Sequence, residues 1–243
     1  MPFVSRVLAG CLPLPTASFG LEEIPMKALE DCHLYTFIDM SYLNSRKPEV
    51  IARQLCEGGS DLIQLRAKNS SLDEVCRMAE GILPIAEEFG VGLVINDHWQ
   101  IALQTGAPLC HLGQEDFFGA GRTDRGQLLP REVSLKLGLS THAPPEAERA
   151  IKAGADYVAI GPVYATGTKP GAKPVTLDYV RWAASHVRIP WFAIGGIHLG
   201  NVDQVLEAGA RRICAVSAIL NAPDIVRACQ QLKDRLSSAA RNP

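Results

Sequence analysis

Two hydrophobic rhythms alternate along the chain. Short apolar runs of about four to eight residues, as in a strand buried on both faces, are followed by stretches in which apolar residues recur every three or four positions, as on one helix face. The first run, Leu34–Ile38, precedes helical periodicity over Pro48–Glu57. Leu62–Arg66 comes next, and Ser71-Leu72-Asp73-Glu74 has capping-box spacing that predicts a helix reaching Phe89. Gly92–Asn96 and Leu109–Leu112 read as the third and fourth strands, separated by a short helix over His98–Gln104. From Asp116 to Pro130 the pattern fails, because Phe117–Gln127 is glycine-rich, charged and aperiodic. Val133–Ser140 predicts a fifth strand, with a helix over Pro144–Ala153, and Tyr157–Ile160 a sixth, with a helix over Thr176–His186. Trp191–Ile194 is the seventh, with a helix over Asn201–Ala208, and Arg212–Val216 the eighth, before an amphipathic helix over Asp224–Ser238.

Strand–helix units in near-strict alternation imply a parallel sheet, since each return to the same edge needs a crossover helix. Eight of them close into a single α/β TIM barrel, (β/α)8, in preference to an open doubly wound sheet. The barrel domain is expected over 32–240, with residues 1–31 as a loosely ordered N-terminal extension. Val7-Leu8-Ala9-Gly10-Cys11 in that extension has the form of a lipoprotein cleavage box, but the apolar run before it is too short for a signal sequence.

Composition narrows the function classes. With 47% hydrophobic and 21% charged residues among 243, the chain is that of a soluble globular protein, and no apolar stretch approaches the roughly 20 residues of a membrane span. A net charge of −2 provides no global field for nucleic acid or acidic membranes, so any anion is bound locally. The seven cysteines are scattered singly without metal-ligand spacing, which reads as reduced thiols in a cytoplasmic protein. A homo-oligomer is compatible with this composition.

In a TIM barrel the chemistry gathers where strands end. Gln64, Arg66 and Lys68, spaced by two, would present an amide, a guanidinium and an ammonium to one side. Asn96-Asp97 ends the third strand, and Asp116 closes the run His111–Asp116 after the fourth. Either aspartate alone reads as a helix cap; together, facing a basic set, they suit Mg2+ held by carboxylates, water and phosphate. For His111 a structural role near the metal stands beside proton transfer. Ser140 supplies a hydroxyl after the fifth strand, and the sixth breaks at Gly161-Pro162 into a loop carrying Thr166, Gly167, Thr168, Lys169 and Lys173. Gly195-Gly196 after the seventh strand and Val216-Ser217 after the eighth have the placing of a barrel phosphate site. No nucleophile elbow accompanies His111 or His142, so a hydrolase triad is not indicated. Two anion sites, one basic and metal-paired, suggest pyrophosphate as a leaving group.

Q-L-R-A-K (64–68), N-D (96–97), H-L-G-Q-E-D (111–116), S-T-H (140–142), G-A-D-Y-V-A-I-G-P-V-Y-A-T-G-T-K (154–169), A-I-G-G-I (193–197) and A-V-S-A-I (215–219) occur in the order of a known family. The chain resembles thiamine-phosphate synthase over roughly 33–220. The resemblance implies a transferase of thiamine biosynthesis that joins a hydroxymethylpyrimidine diphosphate to a thiazole phosphate, releasing thiamine monophosphate and pyrophosphate. It assigns Gln64, Arg66, Lys68, Asn96, Ser140 and Lys169 to the pyrimidine diphosphate, and among them Arg66, Lys68, Ser140 and Lys169 to catalysis. Asp97 and Asp116 would hold Mg2+, Thr166, Gly167, Thr168, Gly196, Val216 and Ser217 would bind the thiazole phosphate, and Tyr35 would lie near the pyrimidine. The long glycine-rich segment 117–127, His98-Trp99 and the run after Lys169 depart from the family pattern, which bears on loop closure and thiazole affinity. A metal-independent thiazole tautomerase on the same fold is the alternative, and the joint presence of Asp97, Asp116 and Q-x-R-x-K weighs against it. A non-catalytic phosphate-binding regulator is the other.

Overall fold

The computed structural model describes residues 25–130, 132–167 and 173–241. Eight parallel strands close into a barrel in sequence order, the eighth pairing back to the first through Leu34 and Ile213. The strands are β1 (Leu34–Asp39), β2 (Leu62–Arg66), β3 (Gly92–Asn96), β4 (Leu109–Leu112), β5 (Lys136–Thr141), β6 (Tyr157–Ile160), β7 (Trp191–Ala193) and β8 (Ile213–Cys214). Around them run α1 (Pro48–Glu57), α2 (Leu72–Glu88), α3 (Trp99–Thr105), α4 (Pro144–Lys152), α5 (Thr176–His186), α6 (Val202–Glu207), a short α7 (Ser217–Leu220) and α8 (Ile225–Arg241).

Local chemistry sets several of these boundaries. Ser71 accepts from the Glu74 N–H while the Glu74 carboxylate accepts from the Ser71 N–H, a reciprocal cap that starts α2. Proline occupies the first turn of both α1 and α4, where its missing N–H costs nothing. The fifth strand begins at Lys136 instead of Val133, because its partner β4 starts at Leu109 and the ladder opens with Leu109 opposite Lys136. β7 and β8 are shorter than expected; Gly195 and Gly196, at φ 106° and 63°, turn the chain out of the sheet after β7. Between β4 and β5 the crossover α-helix is replaced by one π-helical turn, Glu115–Gly119, and one 3-10 turn, Arg125–Gln127.

The N-terminal ends of the strands are sealed by ion pairs. Asp61, fully buried, accepts from Lys27, Lys233 and the His33 and Leu34 N–H groups. Residues 25–31, set with the extension on sequence grounds, include a buried Leu29 and the Lys27 that reaches Asp61. Cys32, Cys56, Cys110, Cys214 and Cys229 are buried free thiols. Among the described residues no helix is long and apolar enough to cross a membrane.

Candidate active site

At the C-terminal ends of the strands lies a cavity of about 610 Å³, within the usual range for a small-molecule site. Tyr35, Gln64, Arg66, Lys68, Asn96, Asp97, Asp116, Ser140, Thr166, Gly196, Val216 and Ser217 all line it. The structure thus brings together twelve of the residues singled out in the sequence. Gly167 is described and exposed but does not line the cavity. Thr168 and Lys169 lie outside the described residues.

Arg66 and Lys68 hold different positions. Arg66 ends β2 opposite Asp39, as their ladder register requires, and donates to the Asp39 carboxylate at 2.6 Å. Asp39 is buried and also accepts from the Ser41 N–H and hydroxyl, so the guanidinium is fixed by a carboxylate that is itself fixed. Lys68 sits beyond the strand, more than half exposed, with its ammonium 3.8 Å from Asp97. One cation is therefore preset while the other retains room to follow a ligand.

Asp97 takes a left-handed backbone, φ 64°, which Asp tolerates better than most side chains. The Asn96 amide donates to its carboxylate at 2.6 Å, and its own N–H donates to the His111 carbonyl at 2.9 Å. Burial pushes the Asp97 carboxyl above its usual range; Lys68 opposes this and the Asp116 carboxylate adds to it. Two carboxylates in each other's field, one of them desolvated, make a site that a divalent cation relieves. Among the described residues no group of three or more His, Cys, Asp or Glu gathers as a metal centre. A pair of hard oxygen donors beside basic side chains fits Mg2+, which takes one or two carboxylates and completes its shell with water and phosphate.

The floor is a chain of buried polar side chains among aromatic rings. The Gln64 amide donates to the Tyr35 hydroxyl at 2.5 Å, and the Tyr35 and Tyr157 hydroxyls lie 3.2 Å apart. The Tyr157 hydroxyl lies 3.2 Å from His111 Nδ1, and His111 Nε2 lies 2.9 Å from Ser140 Oγ. Burial lowers the His111 pKa to about 4, so near neutrality the ring carries no charge. Phe192 packs edge-on against both tyrosines.

At the opposite end of the cavity Gly195 and Gly196 approach the segment after β6 so closely that a Cβ on Gly196 would stand 2.7 Å from the Ala165 carbonyl oxygen. The Asn201 amide donates to the Gly196 carbonyl, and Ser217 opens α7 directly after β8. This end offers backbone and hydroxyl groups, the other cations and carboxylates.

Sequence reasoning missed Asp39 and Tyr157. The predicted first strand stopped at Ile38, one residue short, although an acid following an apolar run was the available signal. Tyr157 belongs to an apolar run, where nothing distinguishes a hydroxyl partner from a packing ring.

The thiamine monophosphate synthase family model matches residues 34–219, from the start of the barrel to α7. A thiamine-phosphate synthase of Thermus thermophilus is 46% identical over 188 residues, covering 75% of this chain and 86% of that protein. One from Halalkalibacterium halodurans is 37% identical over 203 residues, covering 83% of this chain and 94% of that protein. The solved thiamine phosphate pyrophosphorylase of Pyrococcus furiosus superposes with a TM-score of 0.75 at 28% identity, covering 86% of this chain and 96% of the other. A closed eight-stranded barrel with this cavity, a family match spanning it from β1 to α7 and relatives matched along nearly their whole length lead to one conclusion: the chain belongs to the thiamine monophosphate synthase family of transferases.

Proposed function

We propose that the protein condenses 4-amino-2-methyl-5-(diphosphooxymethyl)pyrimidine with thiazole phosphate, giving thiamine monophosphate and pyrophosphate by a dissociative displacement. The observation that carries this reading is the division of one cavity into a cationic, carboxylate-bearing end built on β2 to β5 and a glycine and hydroxyl end built on β6 to β8. The first suits a diphosphate that leaves, the second a monophosphate that stays.

In this mechanism Gln64 and Asn96 orient the pyrimidine diphosphate, Tyr35 lies against its ring, and Arg66, Lys68, Ser140 and Lys169 stabilise the charge that grows on the diphosphate as the carbon–oxygen bond breaks. The pyrimidine amino group supports the carbocation, and the thiazole nitrogen attacks it. Thr166, Thr168, Gly196, Val216 and Ser217 hold the thiazole phosphate so that the nitrogen faces that carbon. No protein nucleophile is needed. Asp97 and Asp116 would hold Mg2+, which when bound neutralises diphosphate charge. Dispersed, buried free thiols support a cytoplasmic location.

The purified protein with Mg2+ and both substrates is expected to yield thiamine phosphate and pyrophosphate, followed by chromatography; well-folded protein giving no product above background would sink the reading. Asp116→Ala is expected to lose activity by about 100-fold or more with its fold intact by circular dichroism. Full turnover by that variant, or by wild type in excess chelator, would remove the metal from the mechanism.

A further inference from the structure

The chain Gln64–Tyr35–Tyr157–His111–Ser140 joins a residue of β2 to one of β5 across the barrel interior through β1, β6 and β4. Its members are buried, apart from the partly exposed Ser140, and its two ends line the cavity. Each hydroxyl and an uncharged imidazole has one proton to give, and a buried proton without an acceptor is costly, so the bond at one end sets the direction of the rest. Gln64 donates an amide N–H to Tyr35; the buried Tyr35 proton then needs an acceptor, which Tyr157 supplies, and the Tyr157 proton in turn goes to His111 Nδ1. The imidazole then carries its proton on Nε2 and gives it to Ser140 Oγ. Ser140 must therefore turn its own proton elsewhere, and Gln64, with one of its two amide N–H groups engaged, keeps its carbonyl oxygen as an acceptor beside the second N–H.

We propose that Tyr157 and His111 are positioning residues that lock this chain in one direction, so that Gln64 offers the cavity an acceptor while Ser140 offers it a donor. The inference rests on the synthase reading for its ligands. A carbonyl oxygen held free at Gln64 accepts from a ring amino group, with the second N–H beside it available to a neighbouring ring nitrogen, and a donor at Ser140 suits an anionic diphosphate oxygen. Running the other way, the Tyr35 proton would occupy the Gln64 carbonyl oxygen and leave two N–H donors for the cavity, while Ser140 would present an acceptor. The fold makes space for the device: Gly138 lies opposite Tyr157 in the β5–β6 ladder, and a Cβ there would overlap the tyrosine ring.

The test reads the imidazole directly. In full-length protein labelled with 15N in histidine, long-range nitrogen–proton correlation spectra, with the His111 signals identified by their loss in His111→Gln, should show the Nε2–H tautomer in the free enzyme. An Nδ1–H tautomer would overturn the proposal, and this outcome depends neither on activity nor on a Tyr157 variant folding. Tyr157→Phe keeps the ring and removes the relay hydroxyl. It should mix the His111 tautomers and lower kcat/KM for the pyrimidine diphosphate about 10-fold while leaving KM for the thiazole phosphate unchanged. Equal losses for both substrates, or none, would reduce the chain to packing. Wild type that forms no thiamine phosphate would instead strike the synthase reading, with the tautomer result still standing by itself.

Discussion

Gly138 shows how much of this site depends on a residue that carries no functional group. It pairs with His111 on one side and Tyr157 on the other, and its missing side chain is the space the tyrosine ring occupies. Adding one methyl group to a filled core forces neighbours off their rotamers, at about 1–3 kcal/mol. Gly138→Ala is therefore expected to lose about 2 kcal/mol in urea denaturation and, by moving the Tyr157 hydroxyl, to lower kcat/KM by about 10-fold or more. Wild-type kinetics with lowered stability would mean that the ring shifts without taking its hydrogen bonds along. At this scale the sequence was half legible. Gln64, Arg66, Lys68, Asp97 and Asp116 stood out because charge and amide groups at strand ends are conspicuous, whereas Asp39, Tyr157 and Gly138 act through register, which is invisible until the strands are paired.

Between β4 and β5 the chain does without a crossover α-helix, and other contacts hold the segment in place. The Arg149 guanidinium of α4 stacks 3.9 Å from the Phe118 ring centroid and donates to the Gln114 carbonyl oxygen. Gln114 in turn donates to the Ser140 backbone carbonyl, so α4 clamps both the irregular segment and the strand end that carries Ser140. A stacked cation and one hydrogen bond contribute about 1–2 kcal/mol together, enough to shift a local opening equilibrium about 10-fold. Arg149→Ala should accordingly speed tryptic cleavage at the half-buried Arg122 by about that factor while the global melting transition moves little. An unchanged cleavage rate would show that the Phe117 packing alone holds the segment. The elements with strong periodicity, such as α1, β2, β3, β4, β6 and α5, run over the residues their patterns predict. The segment after β4 could not be read because its glycines and charges have no repeat, and its order comes from α4, far along the chain.

For the molecule as a whole, the two faces of the barrel divide the work. Strand C-terminal ends carry the cavity, while the N-terminal ends carry Asp61, which ties Lys27 before β1 to Lys233 of α8 and so joins the first and last parts of the barrel. Burial, the largest influence, pushes the Asp61 carboxyl up, but the Leu34 N–H, Lys233 and Lys27 together outweigh it and hold the group below the usual carboxylate range. A depressed folded pKa adds stability that is fully present above the unfolded value, near pH ~3.9, and is lost as pH falls through the folded one. Removing one member of a buried pair costs about 3–5 kcal/mol, and the half-exposed Lys27 places this case at the lower end. Asp61→Asn should thus lose about 3 kcal/mol near neutral pH, and its deficit against wild type should shrink only below about pH 4, measured by urea denaturation across pH. Because the network lies at the opposite end of the strands from Arg66, Asp97 and Ser140, KM for both substrates should stay at the wild-type value wherever the variant is folded. A deficit that persists undiminished in acid would assign the stabilisation to packing around residue 61 and not to its charge; altered KM values would show that the two faces are coupled through the barrel wall.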